Sequence, residues 1–171
     1  MFAIVKLFGV CMVVGGAAVI GFSEGGKLTL RVRILEELIQ VFEGIRNEVL
    51  FSSLPIGQVI EGISAKRSGV VAQFLAGIVS APQESFSERY LFSLEAHARE
   101  LLLDKESFLR LCEVRHYLGK YELSEQDRSL TKTLEALEAC LLRAQTERGS
   151  KGKLYRTLGV SAGIMSVILL L

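Results

Sequence analysis

Histidine and cysteine are the side chains of this sequence best suited to catalysis or metal binding, and each of them stands alone. His97 and His116 fall on different predicted helices, and the sequence places no carboxylate constellation beside either. Cys11 lies in an apolar run, and Cys112 and Cys140 lie singly in helical patterns, without a Cys-x-x-Cys pair. Metal sites and catalytic pairs need such groups at characteristic spacings. We therefore predict ordinary surface histidines, free thiols in a reducing compartment, and no catalytic, cofactor-binding or metal-binding residue.

The segment Gly149-Ser150-Lys151-Gly152-Lys153 has the residue types of a phosphate-binding loop. Such a loop follows a strand and has a different glycine spacing, so we interpret this segment as a hinge beside a membrane. The sequence also has no His-Glu-x-x-His or Gly-x-Ser-x-Gly motif. We predict that the protein is not an enzyme and has no small-molecule substrate. A formal net charge of +1 gives no electrostatic reason to expect nucleic acid as a partner.

The first long amphipathic helix of the predicted fold has one wide apolar face and one polar stripe. Apolar residues recur at helical spacing through Leu30, Ile34, Leu38, Val41, Ile45 and Val49. The polar stripe consists of Arg33, Glu36, Gln40, Glu43 and Asn47. Because a wide apolar face must be buried, this helix should cover a core and turn the stripe to water. The stripe is our candidate partner surface, and the alternative is a polar face that is merely solvated.

Further helical patterns follow this helix. Ser52-Ser53-Leu54-Pro55 ends it and opens a short second helix, and the next apolar segment is Val70 to Val79. A helix marked by Phe86 to Leu101 precedes Asp104, which we predict to cap another helix. The last begins at Ser124 and carries leucines at the spacing of a bundle seam. We predict an all-α fold with a bundle of about six helices and no strand.

Both ends of the chain are apolar. Phe2 to Phe22 contains one charge, Lys6, and about 21 residues at about 1.5 Å each match a hydrocarbon core of roughly 30 Å. Thr157 to Leu171 has no charge, and the C-terminal run spans a bilayer if Arg156 lies at the interface. The alternatives are a cleaved signal peptide at the first run and a buried terminal helix at the second. We predict transmembrane helices at residues 1–22 and 154–171, flanking a helical domain at 23–153.

The charges that flank the two runs predict an orientation. Lys6 is the basic residue on the outer side of the first run. On the inner sides of both runs lie Lys27, Arg31, Arg33, Arg143, Arg148, Lys151, Lys153 and Arg156. Basic residues favour the cytoplasmic side, so the domain should be cytoplasmic and both termini should lie across the membrane. Ser23-Glu24-Gly25-Gly26 is expected to be a flexible connection.

Small residues in both runs are candidates for membrane helix packing. Gly159 and Gly163 form a Gly-x-x-x-Gly ridge, and Ala17 and Gly21 form a small-x-x-x-small pair. Such pairs let two helix backbones approach closely. The alternative is that these glycines only reflect the ordinary composition of membrane helices.

Three blocks of the sequence resemble the stage III sporulation protein AB family, and the resemblance runs through nearly the whole chain. The blocks are Arg31-Val32-Arg33, Glu48-Val49-Leu50-Phe51-Ser52-Ser53-Leu54-Pro55-Ile56 and Lys153-Leu154-Tyr155-Arg156-Thr157-Leu158-Gly159-Val160. The last block is the most specific. The part between the two apolar runs is also similar to the cytoplasmic helical domain of the F-type platform proteins of type II secretion and type IV pilus systems.

The resemblance implies a non-enzymatic membrane scaffold in a secretion-like channel complex between mother cell and forespore, required for endospore formation. It implies partners as well: a cognate stage III AA-type ATPase, and the other stage III A-complex membrane and ring subunits. The protein would then lie in the mother-cell membrane around the forespore, with its domain facing the mother-cell cytoplasm. The alternative is a platform subunit of a pilus or type II secretion-like system outside sporulation.

Overall fold

A computed structural model describes the backbone of residues 2–52, 54–119 and 123–170, and the side chains of residues 26–52, 54–119, 123–150 and 161. The described backbone is all-α and contains no strand, as predicted. Its six helices are α1 (Phe2–Phe51), α2 (Ile56–Ala65), α3 (Val70–Ser80), α4 (Phe86–His97), α5 (Lys105–Tyr117) and α6 (Leu123–Leu170).

The chain divides into two compact units. One is Arg31–Leu142, called the helical domain below, and the other comprises Met1–Leu30 with Arg143–Leu171. The helical domain lies inside the predicted segment 23–153 and contains α2 to α5 with parts of α1 and α6. Within it, α3 packs against both α2 and α4, and α4 packs against α5.

The core of the helical domain is built on the apolar face of α1. Leu38 and Val41 are fully buried, and Ile34 and Ile45 are each 2% exposed. Leu30 was predicted on the same face but is 48% exposed, because it precedes the helical domain and its core. The opposing helices contribute Phe74, Leu94, Leu111, Leu130 and Leu137. The helical spacing of apolar residues therefore predicted the buried face of α1 correctly from Ile34 to Ile45, while Leu30 at its start is exposed and Val49 at its end is half-buried.

Local side-chain chemistry sets two helix starts. Asp104 accepts a hydrogen bond from the backbone N–H of Ser107 at 2.8 Å, which confirms the predicted cap of α5. Ser85 caps α4 in the same way through the N–H of Glu88 at 3.2 Å. At the other end of α5, Gly119 has φ +76°, a left-handed conformation that favours glycine after a helix. These caps fix where the helices α4 and α5 meet the connecting turns.

Two predicted breaks are helical in the structure. α1 continues through Ser23-Glu24-Gly25-Gly26, and α6 continues through Gly149 to Lys153. Glycine lowers helix propensity by about 1 kcal/mol relative to alanine, a cost that a long continuous helix can absorb. The predictions of a flexible connection and a hinge were therefore wrong for the backbone conformation.

Among the residues whose side chains the structure describes, no helix combines the length and the apolarity that a membrane crossing requires. The predicted spans at residues 1–22 and 154–171 lie outside that described set, so they stay predictions. The same holds for the packing residues Ala17, Gly21, Gly159 and Gly163.

Candidate interaction surface

The polar stripe of α1 is exposed along its whole length. Arg33, Glu36, Gln40, Glu43 and Asn47 are all exposed, while most of the apolar residues between them are buried. At about 1.5 Å per residue, the stripe extends for about 21 Å along the helix. It carries one positive and two negative charges, so it presents a mixed polar surface with a slight acidic excess.

Ion pairs on either side of the stripe tie α1 to its neighbours. Arg46 donates a hydrogen bond to Asp127 of α6 at 2.5 Å. On the other side, Glu37 lies 3.9 Å from the guanidinium of Arg67, in the turn between α2 and α3. The hydrogen bond to Asp127 raises the pKa of Arg46 above its ordinary value. Both pairs are partly exposed and contribute modestly to stability, but they orient α1 between two other elements.

A third ion pair joins α1 to the cap of α5. Arg31 lies 2.5 Å from the carboxylate of Asp104, the residue that caps α5. Burial raises the pKa of Asp104, but the contacts with Ser107 and the charge of Arg31 outweigh it, so that this pKa lies below its ordinary value. The sequence predicted the cap and not its partner, because Arg31 and Asp104 are 73 positions apart.

The histidines and cysteines do not form a site. Nδ1 of His97 lies 2.8 Å from the carbonyl of Ser93 on its own helix and donates to it, and Nε2 of His116 accepts from Arg115 at 3.2 Å. Cys112 and Cys140 form no disulfide in the described part of the chain. Burial raises the pKa of Cys112. Among the described residues, no group of three or more His, Cys, Asp or Glu is placed to hold a metal ion.

Two tyrosines, Tyr90 and Tyr117, are buried in the core of the helical domain. The hydroxyl of Tyr117 is 2.7 Å from that of Thr133, which links α5 to α6. Burial raises the pKa of Tyr117 to about 12, although this hydrogen bond opposes the shift. Burial also raises the pKa of Tyr90 well above its ordinary value. Neither hydroxyl reaches the surface, so both belong to the core rather than to a site.

An apolar groove is the second surface feature, and the sequence did not predict it. It has a volume of about 350 Å³ and lies where the start of α2, the end of α3 and the start of α4 meet. Its walls come from three segments that are separate in the sequence. No periodicity within one segment could therefore reveal it.

The described helices thus define an all-α helical domain with exposed polar and apolar surfaces. A solved structure of a stage III sporulation protein AB (SpoIIIAB) has the same fold, with a TM-score of 0.65 and 18% sequence identity. The similarity covers 71% of this chain and 98% of that chain. At this level of identity, the comparison shows the fold alone.

The sequence itself matches the family model of stage III sporulation protein AB over residues 6–171. The chain belongs to this family, which confirms the resemblance found in the sequence. Membership indicates a role in sporulation, in a family that is not a known enzyme family. No curated protein sequence matches this chain.

Proposed function

We propose that this protein is a non-enzymatic membrane scaffold of a secretion-like channel complex between mother cell and forespore, needed for endospore formation. The observation that carries the proposal is the family match over residues 6–171. It supports sporulation over a pilus or secretion system outside sporulation. The helical domain adds a compact part with exposed surfaces through which a scaffold meets other subunits.

The proposed membrane arrangement has spans at residues 1–22 and 154–171 in the mother-cell membrane around the forespore. The helical domain faces the mother-cell cytoplasm. Two features of the sequence support this arrangement: the near absence of charge in both segments and the basic residues that flank their inner sides. In this arrangement, other stage III A-complex membrane and ring subunits meet the protein in or across the membrane.

The proposed partner of the helical domain is the cognate stage III AA-type ATPase, and the proposed docking surface is the polar stripe of α1. All five stripe residues are exposed, and the ion pairs Arg46–Asp127 and Glu37–Arg67 hold α1 on either side of them. A surface that is already fixed loses little conformational freedom on binding. Exposed charges such as Glu36 and Glu43 then contribute mainly to the rate and specificity of association.

Affinity capture from sporulating cells tests this proposal. The full-length protein should recover the ATPase together with other subunits of the complex. The double variant Glu36→Lys and Glu43→Lys should recover severalfold less ATPase, with a loss that depends on salt because the contacts are exposed. Helicity and membrane insertion should not change, since neither side chain contributes to the core.

The control is a second pair of charge reversals, Glu95→Lys with Glu100→Lys, at exposed positions at and beyond the end of α4. It changes the net charge equally and should leave ATPase capture intact. Normal capture by the α1 variant at low salt would exclude the stripe as the docking surface. A loss in the α4 variant alone would place docking on the hairpin of α4 and α5. Recovery of no sporulation subunit by the unmodified protein would contradict the scaffold function itself.

A further inference from the structure

The groove between α2, α3 and α4 has apolar walls. It also has the charged side chain of Arg89, whose Nε is buried. Pro55 and Ile56 line it from the start of α2, Ile78 and Val79 from the end of α3, and Phe86 from the start of α4. Its volume of about 350 Å³ is at the lower end of the range of about 300 to 1,000 Å³ for ligand pockets. It can therefore accept a few side chains and not a large cofactor.

Arg89 gives the groove a chemical preference. It lines the groove from the first turn of α4, and its Nε is shielded from solvent without a hydrogen-bond acceptor in the described part of the chain. Because water does not reach Nε, a carboxylate binds the terminal nitrogens of the Arg89 guanidinium, through both of its oxygens at once. The groove therefore favours an occupant that brings an acidic group.

The start of α2 adds to this preference. Pro55 occupies the cap position of α2, and no side chain caps the helix. The positive end of α2 thus contributes to the wall of the groove through Ile56 and Gly57. Glu61 also lines the groove but is exposed and lies one turn further along α2. It disfavours an acidic group near its own position and so restricts the carboxylate to the part of the groove beside Arg89 and the start of α2.

Exposed apolar residues extend the surface beyond the groove. Val79 is 36% exposed at its edge, and Leu54, next to Pro55, is 54% exposed. Phe51, the last residue of α1 and three positions before Leu54, is 87% exposed, the largest value among the exposed large apolar side chains of the described residues. Clustered exposed apolar residues mark surfaces that bind other macromolecules. A small metabolite would be enclosed by the groove and would leave these residues uncovered.

We propose that the groove binds a segment of a partner protein in which a carboxylate adjoins bulky aliphatic side chains. The carboxylate pairs with Arg89, the aliphatic side chains fill the space between Ile78, Val79 and Phe86, and the flanking part of the segment covers Leu54 and Phe51. This site is separate from the polar stripe of α1. It does not depend on the identity of the ATPase or on its docking to α1.

The test uses the full-length protein in nanodiscs and a displayed library of random 12-residue peptides. Enriched peptides should contain Asp or Glu next to Leu, Ile or Phe. The binding of a synthetic enriched peptide should weaken about tenfold to a hundredfold in Arg89→Gln, which corresponds to the loss of a charged hydrogen bond. It should also weaken in Val79→Asp, which places a negative charge on the apolar wall. Circular dichroism of both variants establishes that the helices remain folded.

Arg99→Gln is the matched control, because Arg99 is exposed just beyond α4 and does not line the groove. Peptide binding by this variant should equal that of the unmodified protein. The proposal is overturned if no peptide is enriched, if the enriched peptides lack acidic residues, or if Arg89→Gln binds them normally. It is also overturned if Arg89→Gln changes the oligomeric state of the protein in detergent, because the occupant would then be a second copy of this chain.

Discussion

Gly77 of α3 packs so closely against Ser93 of α4 that a Cβ atom at position 77 would clash with the Ser93 hydroxyl. That hydroxyl is buried and donates a hydrogen bond of 2.6 Å to the carbonyl of Phe74. The absence of a side chain at Gly77 thus lets α3 and α4 approach closely enough for this bond to form. The glycine is required by the contact between two helices and not by its own backbone conformation.

Gly77→Ala should therefore destabilise the protein by about 1–3 kcal/mol, the usual cost of overpacking a core. Gly62→Ala in α2 is the matched control, since a Cβ there meets nothing within 4 Å. It should be neutral or stabilise by about 0.4–1 kcal/mol. Thermal unfolding of the full-length protein in detergent measures both variants. If Ser93→Ala does not relieve part of the loss in Gly77→Ala, the clash with the hydroxyl is not its cause.

The two buried tyrosines should respond in opposite directions to loss of the hydroxyl. Tyr117→Phe removes the hydrogen bond to Thr133 and should cost about 1 kcal/mol. The Tyr90 hydroxyl is buried without a partner among the described residues, so Tyr90→Phe should stabilise by about 1 kcal/mol. Its T-shaped ring contact with Phe74 is retained. Denaturant unfolding measures the free energy of unfolding of both variants. An equal loss of stability in Tyr90→Phe and Tyr117→Phe would show that the Tyr90 hydroxyl is hydrogen-bonded in solution.

The cap of α5 should make stability depend on pH in the acid range. The pKa of Asp104 lies below its ordinary value of 3.8 in the folded protein, so its carboxylate contributes stability that is fully present above that value. This contribution is lost as the pH falls through the lower, folded-state pKa. Asp104→Asn keeps a capping side chain without the charge and should flatten the decline in stability below about pH 4.

Asp104→Ala removes the cap as well as the charge and should cost a further ~1 kcal/mol at neutral pH. Unfolding curves at several pH values distinguish the two variants. An unchanged acid decline in Asp104→Asn would assign the pH dependence to other carboxylates.

The proposed topology predicts which thiols are accessible from each side of the membrane. In a Cys11→Ala background, an impermeant thiol reagent should not label sealed vesicles of this membrane whose cytoplasmic face is enclosed. After permeabilisation it should label Cys112, which is partly exposed, and not Cys140, which is 1% exposed. The raised pKa of Cys112 should slow this labelling at neutral pH, because the thiolate is the reacting form. A reporter fused after Leu171 should lie on the other side, and a cytoplasmic reporter would contradict this orientation.

The proposed packing of the membrane spans predicts a specific effect at Gly163. Gly163→Ile should weaken assembly of the complex, because a bulky side chain prevents close helix approach. Ser161→Ile, which lies on the opposite side of the same predicted span, should not. Co-purification of the other subunits measures assembly, and the circular dichroism spectrum should be unchanged in both variants. Normal assembly in Gly163→Ile would leave the Gly-x-x-x-Gly ridge without a role.

Much of the helical domain could be predicted from the sequence because its determinants are local. Hydrophobic periodicity predicted the buried face of α1 and the exposed stripe from Arg33 to Asn47, and the side chain of Asp104 predicted the start of α5. Each of these features depends on residues within a few turns of one helix. The family blocks added the sporulation role, which periodicity alone does not contain.

The tertiary structure alone decided which distant residues meet. The pair of Arg31 with Asp104, the contact of Gly77 with Ser93 and the groove around Arg89 each combine helices that are separate in the sequence. Their existence depends on how the helices pack, and helical periodicity specifies which face is buried but not which helix covers it. The errors at Gly25-Gly26 and Gly149 to Lys153 have a different cause. Glycine lowers helix propensity locally, but this cost did not interrupt the long helices α1 and α6.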